Sequence, residues 1–192
     1  MSKTSKKTIS SLKDHFLVAM PSLHDDNFSG SVVYICEHNV EGAMGLSINQ
    51  QLDIPAKAVF DRLELKYNQQ EGDELIFDGG PIQQDRGFIL HSASEQKWES
   101  TIHIGSDISL TTSKDILGDI ALGTGPKDAL ITLGYSSWGG GQLEEELKDN
   151  SWLVIPADSA VLFNTDCARR AQAAALSIGL NLDMLALESG HA

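Results

Sequence analysis

Apolar positions fall along this chain in short runs, strand-like through the first half and helix-like near the end. Residues 15–20 form an apolar run of strand length, followed by turn formers from 21 to 30. Residues 31–38 are dense in β-branched and aromatic side chains, which suits a strand. Asn39-Val40-Glu41-Gly42 makes a short reversal, and residues 43–49 return as the second arm of a hairpin. The first helix is expected over 55–63, with Pro55 at its first position and Val59, Phe60 and Leu63 on one face. Beyond a polar break at 71–74, strands are expected at 75–77, 87–91, 101–104 and 108–112. Ser113 is placed to cap a helix over 114–122, and Asp115 favours its dipole. An apolar strand at 129–133 leads into a glycine-rich loop at 134–141. The pattern closes with a helix over 142–148, a strand at 151–155 and a long alanine-rich helix over 166–180. Strands first and helices later favour an α+β arrangement over a regular βαβ winding. No repeat, linker or composition shift marks a second domain, so residues 14–192 read as one domain behind a flexible tail at 1–13.

Charge alters the picture more than composition does. With 192 residues, 41% hydrophobic and 21% charged, the chain has an ordinary globular make-up. Its net charge is −13, and four of its 14 basic residues (Lys3, Lys6, Lys7, Lys13) lie in the tail. The body therefore sets 10 basic residues against 27 acidic ones, which repels a polyanion and argues against direct nucleic-acid binding. No apolar run approaches the roughly 20 residues of a membrane span, and the basic start lacks the apolar stretch of a signal peptide. A cytoplasmic location is expected. Cys36 and Cys167 have no Cys-x-x-Cys spacing and read as small buried apolar residues. No cofactor or metal is called for.

Four chemical readings fail or stay weak on inspection. The strand–loop–helix layout at 129–148 resembles a phosphate loop, but Gln142 and Leu143 stand where lysine and serine or threonine belong, and Glu144, Glu145 and Glu146 crowd the first turn. Those three acids read as a solvated helix face. Gly134-Tyr135-Ser136-Ser137-Trp138 departs from a nucleophile elbow at its last position. Gly123-Thr124-Gly125 follows a helix and ends in Asp128, which does not suit a dinucleotide fingerprint. His24-Asp25-Asp26 reads as an exposed acidic turn.

Two features stay open. Cys36 and His38 stand two apart on a strand and so share a face, either as a reactive pair or as a core thiol beside a strand-end histidine. Gly79-Gly80-Pro81 demands a special backbone path, and Asp85-Arg86-Gly87 follows at once. Arg86 could clamp an anionic group in a bidentate fork or tie down a neighbouring acid.

The motifs together resemble the YqgE/AlgH family over nearly the whole chain. The resemblance rests on His15–Pro21, Ser31–Asn39, Gly42-Ala43-Met44-Gly45 and Gly79-Gly80-Pro81 with Asp85-Arg86-Gly87-Phe88. Thr111-Thr112-Ser113, Gly134-Tyr135 with Trp138, Gly141-Gln142-Leu143-Glu144, Trp152-Leu153 and Gly190-His191-Ala192 complete it. One departure stands out: the last long helix of the family usually carries a tryptophan, and Cys167-Ala168-Arg169-Arg170 has none. The resemblance implies an α+β fold, with a bent, bifurcated mixed sheet forming a pseudo-barrel flanked by helices. It implies no catalytic residues, cofactor or substrate, and it suggests regulation, since one branch is associated with control of alginate production.

Two functional readings follow. One is a bacterial regulatory protein acting through a protein partner and not through DNA. The other is a small-molecule binder or enzyme, with Arg86 as anion anchor, Tyr135 and Trp138 as aromatic walls, and Cys36 or His38 as the reactive group. Gly79, Gly80, Pro81, Asp85, Arg86, Gly87, Tyr135, Trp138 and Gln142 form the candidate binding region for either.

Overall fold

A hairpin starts the architecture. In the computed structural model, which describes residues 10–20 and 30–189 with side chains as far as Leu185, β2 (Val32–Asn39) and β3 (Gly42–Ser47) pair antiparallel around the expected reversal. β1 (His15–Ala19) lies antiparallel to β2 on one side and to β10 (Trp152–Pro156) on the other. The first and last strands are therefore neighbours. β3 continues the sheet onto β9 (Ala129–Gly139), which pairs in turn with β6 (Ile82–Ser92). β8 (Ile108–Thr111) and β7 (Thr101–His103) extend the far edge. A short branch, β4 (Gln51–Pro55) with β5 (Leu75–Asp78), joins β9 through a parallel pairing of β5. The fold is a single α+β domain with a curled, bifurcated, mixed ten-stranded sheet.

Helices cover the sheet in three places, and each covering makes its own core. Phe60 of α1 (Ala56–Arg62) and Ile116 and Leu117 of α2 (Asp115–Ala121) pack with Ile76, Ile89 and Ile131. Leu143 of α3 (Gln142–Lys148) packs with Leu17, Val33, Ile35, Trp138 and Trp152. Leu162 of α4 (Ser159–Asn164) and Ala174 and Ala175 of α5 (Arg170–Ser177) close the largest core, around Phe16, Tyr34, Phe77 and Phe88. α6 (Leu182–Ser189) follows α5.

Several expectations need correction. The glycine-rich segment 134–141 is mostly not a loop: β9 runs on to Gly139, bending at Gly134, whose φ of 74° only glycine adopts at little cost. Pro55 ends β4 and precedes the first helical residue instead of occupying it. Ser113 does not cap α2; its hydroxyl donates to Asp115 Oδ1, which itself accepts from the Ile116 N–H. The long helix over 166–180 is shorter: a 3-10 turn at Cys167–Arg169 leads into α5, and α4, unforeseen, precedes it. Cys167 is half-buried, not a core residue.

The tail at 1–13 lies mostly outside the described residues. At its end, Ser11 and Leu12 hydrogen-bond to His38. His24-Asp25-Asp26 and Gly190-His191-Ala192 also lie outside the described residues.

Candidate functional site

The sheet divides along one edge of β9. Gly42 to Gly45 of β3 hold that edge from Gly139 to Ser136, after which β3 leaves it and β5 takes over at Thr132 and Leu133. Gly79 marks the change of partner: its N–H donates to the Leu133 carbonyl (2.8 Å), and its carbonyl accepts from the Ser47 N–H (2.9 Å). A strand that changes partner leaves gaps on both sides of the exchange. Two concave sites lie there.

The larger is a cleft of about 760 Å³ where β5 and β9 part upstream of their paired residues. Leu75 and Ile76 line one side and Ala129, Leu130 and Ile131 the other, with the α4–α5 connection as a further wall. Arg170 anchors that wall. Its residue is 4% exposed, Nε donates to the Thr165 carbonyl (3.1 Å), Nη1 donates to the Ile48 carbonyl, and the guanidinium stacks 5.0 Å from the Phe77 ring. Among the described residues no carboxylate forms a salt bridge with it. Burial lowers its pKa, with Cys167 and Asp166 acting in the opposite direction, yet a guanidinium stays charged at any physiological pH. Lys127 joins it in the lining, while Glu71, Glu74, Asp128 and Asp166 supply the opposite sign. A cleft of this size suits a small ligand, and its mixed charge suits one with groups of both signs.

The smaller site, about 50 Å³, opens beside the Gly79-Gly80-Pro81 turn and is lined by Ser47, Gln50, Asp78, Gly80, Gln84 and Ser136 among others. The turn can take only glycine. A Cβ on Gly80 would sit 2.5 Å from Ser136 Oγ and 2.3 Å from the Tyr135 carbonyl carbon, and one on Gly79 would sit 2.3 Å from the Gly134 oxygen. This explains the special backbone path expected of the motif.

The structure gathers only part of the region picked out in the sequence. Gly79, Gly80 and Pro81 pack against Tyr135 and Ser136. Between Ile82 and Gly87, β6 carries five steps against two on β9, so residues 83–86 bulge into solvent and leave Asp85 and Arg86 exposed. Arg86 contacts Gln83 Oε1 (3.4 Å) and stacks 5.4 Å from Phe88, whose ring meets Tyr135. Tyr135 and Trp138 do not wall one pocket. Tyr135 packs on the Phe16 core and Trp138 on the Leu143 core, because alternation along β9 turns them to opposite faces. Gln142 bonds locally, to Gly139 and Glu146.

The Cys36–His38 pairing is also corrected. β2 bulges between Ile35 and Glu37, and the extra residue reverses the alternation. Cys36 enters the Phe16 core, where burial pushes its thiol well up, away from the reactive thiolate. His38 turns the other way: Nδ1 accepts from Leu12 N–H (2.9 Å), so Nε2 holds the ring proton and donates to Glu144 (2.9 Å). Glu144–Glu146 is accordingly not a purely solvated face, since Glu146 Oε2 accepts from the indoles of Trp138 (2.9 Å) and Trp152 (2.7 Å).

Arg170, Ser47 and Asp78 escaped the sequence reading, and Ser136 was weighed only as the serine of a nucleophile elbow. Arg170 did leave a signal, because it stands four residues before Ala174 on the buried face of an otherwise alanine-rich helix. Ser47 is likewise the polar member of an apolar strand run.

Comparison with known proteins agrees with this architecture. A model of the AlgH-like family matches residues 16–183. A UPF0301 protein of Saccharophagus degradans is 47% identical over 182 residues, covering 95% of this chain and 89% of the relative. One of Nitrosococcus oceani is 48% identical over 187 residues, covering 97% and 100%. The solution structure of the AlgH protein from Pseudomonas aeruginosa superposes with a TM-score of 0.77 at 44% identity, covering all of both chains. A crystal structure of a Corynebacterium diphtheriae protein shares the fold at 18% identity, with a TM-score of 0.67 over 90% of this chain and 88% of that one.

Proposed function

The chain belongs to the AlgH-like family, and on that premise we propose that it is a regulatory binding protein: it takes a small polar ligand into the cleft between β5 and β9 and acts on a protein partner. One observation carries the reading, the buried Arg170 guanidinium without a carboxylate partner among the described residues, on the wall of a cleft of about 760 Å³. An anionic group of the ligand would meet Arg170, and cationic or donor groups would meet Glu71 and Glu74. Amino acids, short peptides and other zwitterions fit that arrangement.

The wall that carries Arg170 leads directly into α5, whose far end exposes Leu176 (55%), followed by exposed Ile178 and by Met184 of α6 (63%). Exposed apolar side chains here favour a protein partner as the output of the same device. The acidic body disfavours DNA as that partner, and action in the cytoplasm is part of the proposal. No helix among the described residues is long and apolar enough to cross a membrane.

Amide chemical shifts of the isotope-labelled protein, titrated with amino acids, dipeptides, dicarboxylates and nucleotides, test the ligand. Saturable movements are expected at Ile76, Leu130, Thr165 and Cys167. Movements confined to residues 83–86, or none across the panel, would remove the cleft from consideration.

A further inference from the structure

Three residues that line the small crevice beside Gly80 each carry a side-chain oxygen with no hydrogen-bond partner among the described residues. Ser47 and Ser136 are 5% and 1% exposed, yet neither hydroxyl bonds to any other described residue. Asp78 uses Oδ1 to accept the Gly80 N–H (3.1 Å), while Oδ2 is unengaged. Buried polar groups are nearly always satisfied, so two such hydroxyls beside one carboxylate point to an occupant that the described residues do not supply.

We propose that this crevice binds a small monovalent cation, an alkali-metal ion or ammonium. The donors are oxygens. Gln50 adds to them, since its amide nitrogen donates to Ser31 Oγ (2.7 Å) and leaves its carbonyl oxygen available. No lysine, arginine or histidine lines the crevice, and the Asp78 carboxylate would repel an anion. Its volume of about 50 Å³ suits an ion better than an organic ligand. One carboxylate matches one positive charge, whereas calcium sites draw on several. Gly80 keeps the space open, because any Cβ there would crowd Ser136 Oγ. The site is separate from the cleft and does not depend on the ligand proposed for it.

Thermal unfolding of the full chain in choline chloride tests the inference, with KCl, NaCl or NH4Cl replacing choline at constant ionic strength. At least one of the three should raise the Tm saturably, by about 3–6 °C at ten times its Kd. Ser47→Ala and Ser136→Ala should abolish that ion-specific rise, while matching or exceeding the wild-type Tm in choline alone, since each removes an unpartnered hydroxyl. Should either variant fold poorly, the wild-type amide shifts of Ser47, Gly80 and Ser136 in the same titration give the answer. A Tm that is equal in all salts, as water alone in the crevice would give, overturns the proposal. So does an ion-specific rise that both variants retain, or a larger response to CaCl2 or MgCl2 at matched ionic strength.

Discussion

Glu146 shows how much a single side chain can hold. Its carboxylate joins Trp138 at the end of β9 to Trp152 at the start of β10, and so fastens α3 across both strands. Charged acceptors make hydrogen bonds worth about 1.5–3 kcal/mol each. Glu146→Ala should therefore cost about 3 kcal/mol and lower the Tm by about 6–12 °C in a domain of this size. A loss under about 2 °C in differential scanning calorimetry would show that the bonds contribute little. His91 illustrates the opposite kind of polar residue, buried against Trp98 with Nε2 bonded to the Thr111 hydroxyl and Nδ1 to the Ser92 carbonyl. Burial lowers its pKa most, the Ser92 bond acts upward, and His103 adds to the lowering. The unfolded chain therefore binds this proton before the folded one does, so stability is full above about pH 6.5 and declines as pH falls from there toward the depressed folded value. His91→Gln should lose less stability between pH 7.5 and 5.5 than the wild type, as measured by urea unfolding at both values. Equal losses would assign the pH dependence to other groups.

Among the elements, β9 decides the most, and only its first half was legible in the sequence. Its first five residues read plainly as an apolar strand, but Gly134 and Gly139 resemble a loop when only local preference is considered. Pairing with β3 and β6 overrides that preference, and Gly134 supplies the bend where the pairing changes. Gly134→Ala would combine a left-handed backbone with a Cβ 2.3 Å from the Gly80 oxygen, and should cost roughly 3 kcal/mol or more. Gly87→Ala, with nothing within 4 Å of the added carbon, should change stability by less than about 1 kcal/mol. Similar losses at the two positions, read by chemical denaturation, would contradict the role assigned to Gly134. Periodicity alone identified the hairpin of β2 and β3, the helix α3 and most of the short strands. It missed the bulge in β2, which separates Cys36 from His38, because one extra residue leaves composition unchanged while reversing which face a side chain meets. The Gly79-Gly80-Pro81 turn was legible as a special backbone path. Its partners Ser47 and Ser136 were not, since they come from strands 30 or more residues away on either side.

For the molecule as a whole, the excess of negative charge is a standing internal repulsion. A net charge of −13 on a chain with few ion pairs among its described residues opposes compactness, and salt screens it. The Tm should rise as choline chloride increases from 10 to 200 mM, without saturating as a bound ion would. A flat profile would mean that the charges are far enough apart to be screened already. The order of the strands has a different consequence, one for the making of the protein. β1 is paired to residues 152–156, so a chain emerging from the ribosome must present its first strand long before that neighbour exists. Until then the apolar edge of β1 is open to other chains, as unpaired strand edges are. The last fifth of the polypeptide thus acts as an intramolecular safeguard, and truncation ahead of Trp152 should turn a well-behaved protein into one that aggregates during synthesis.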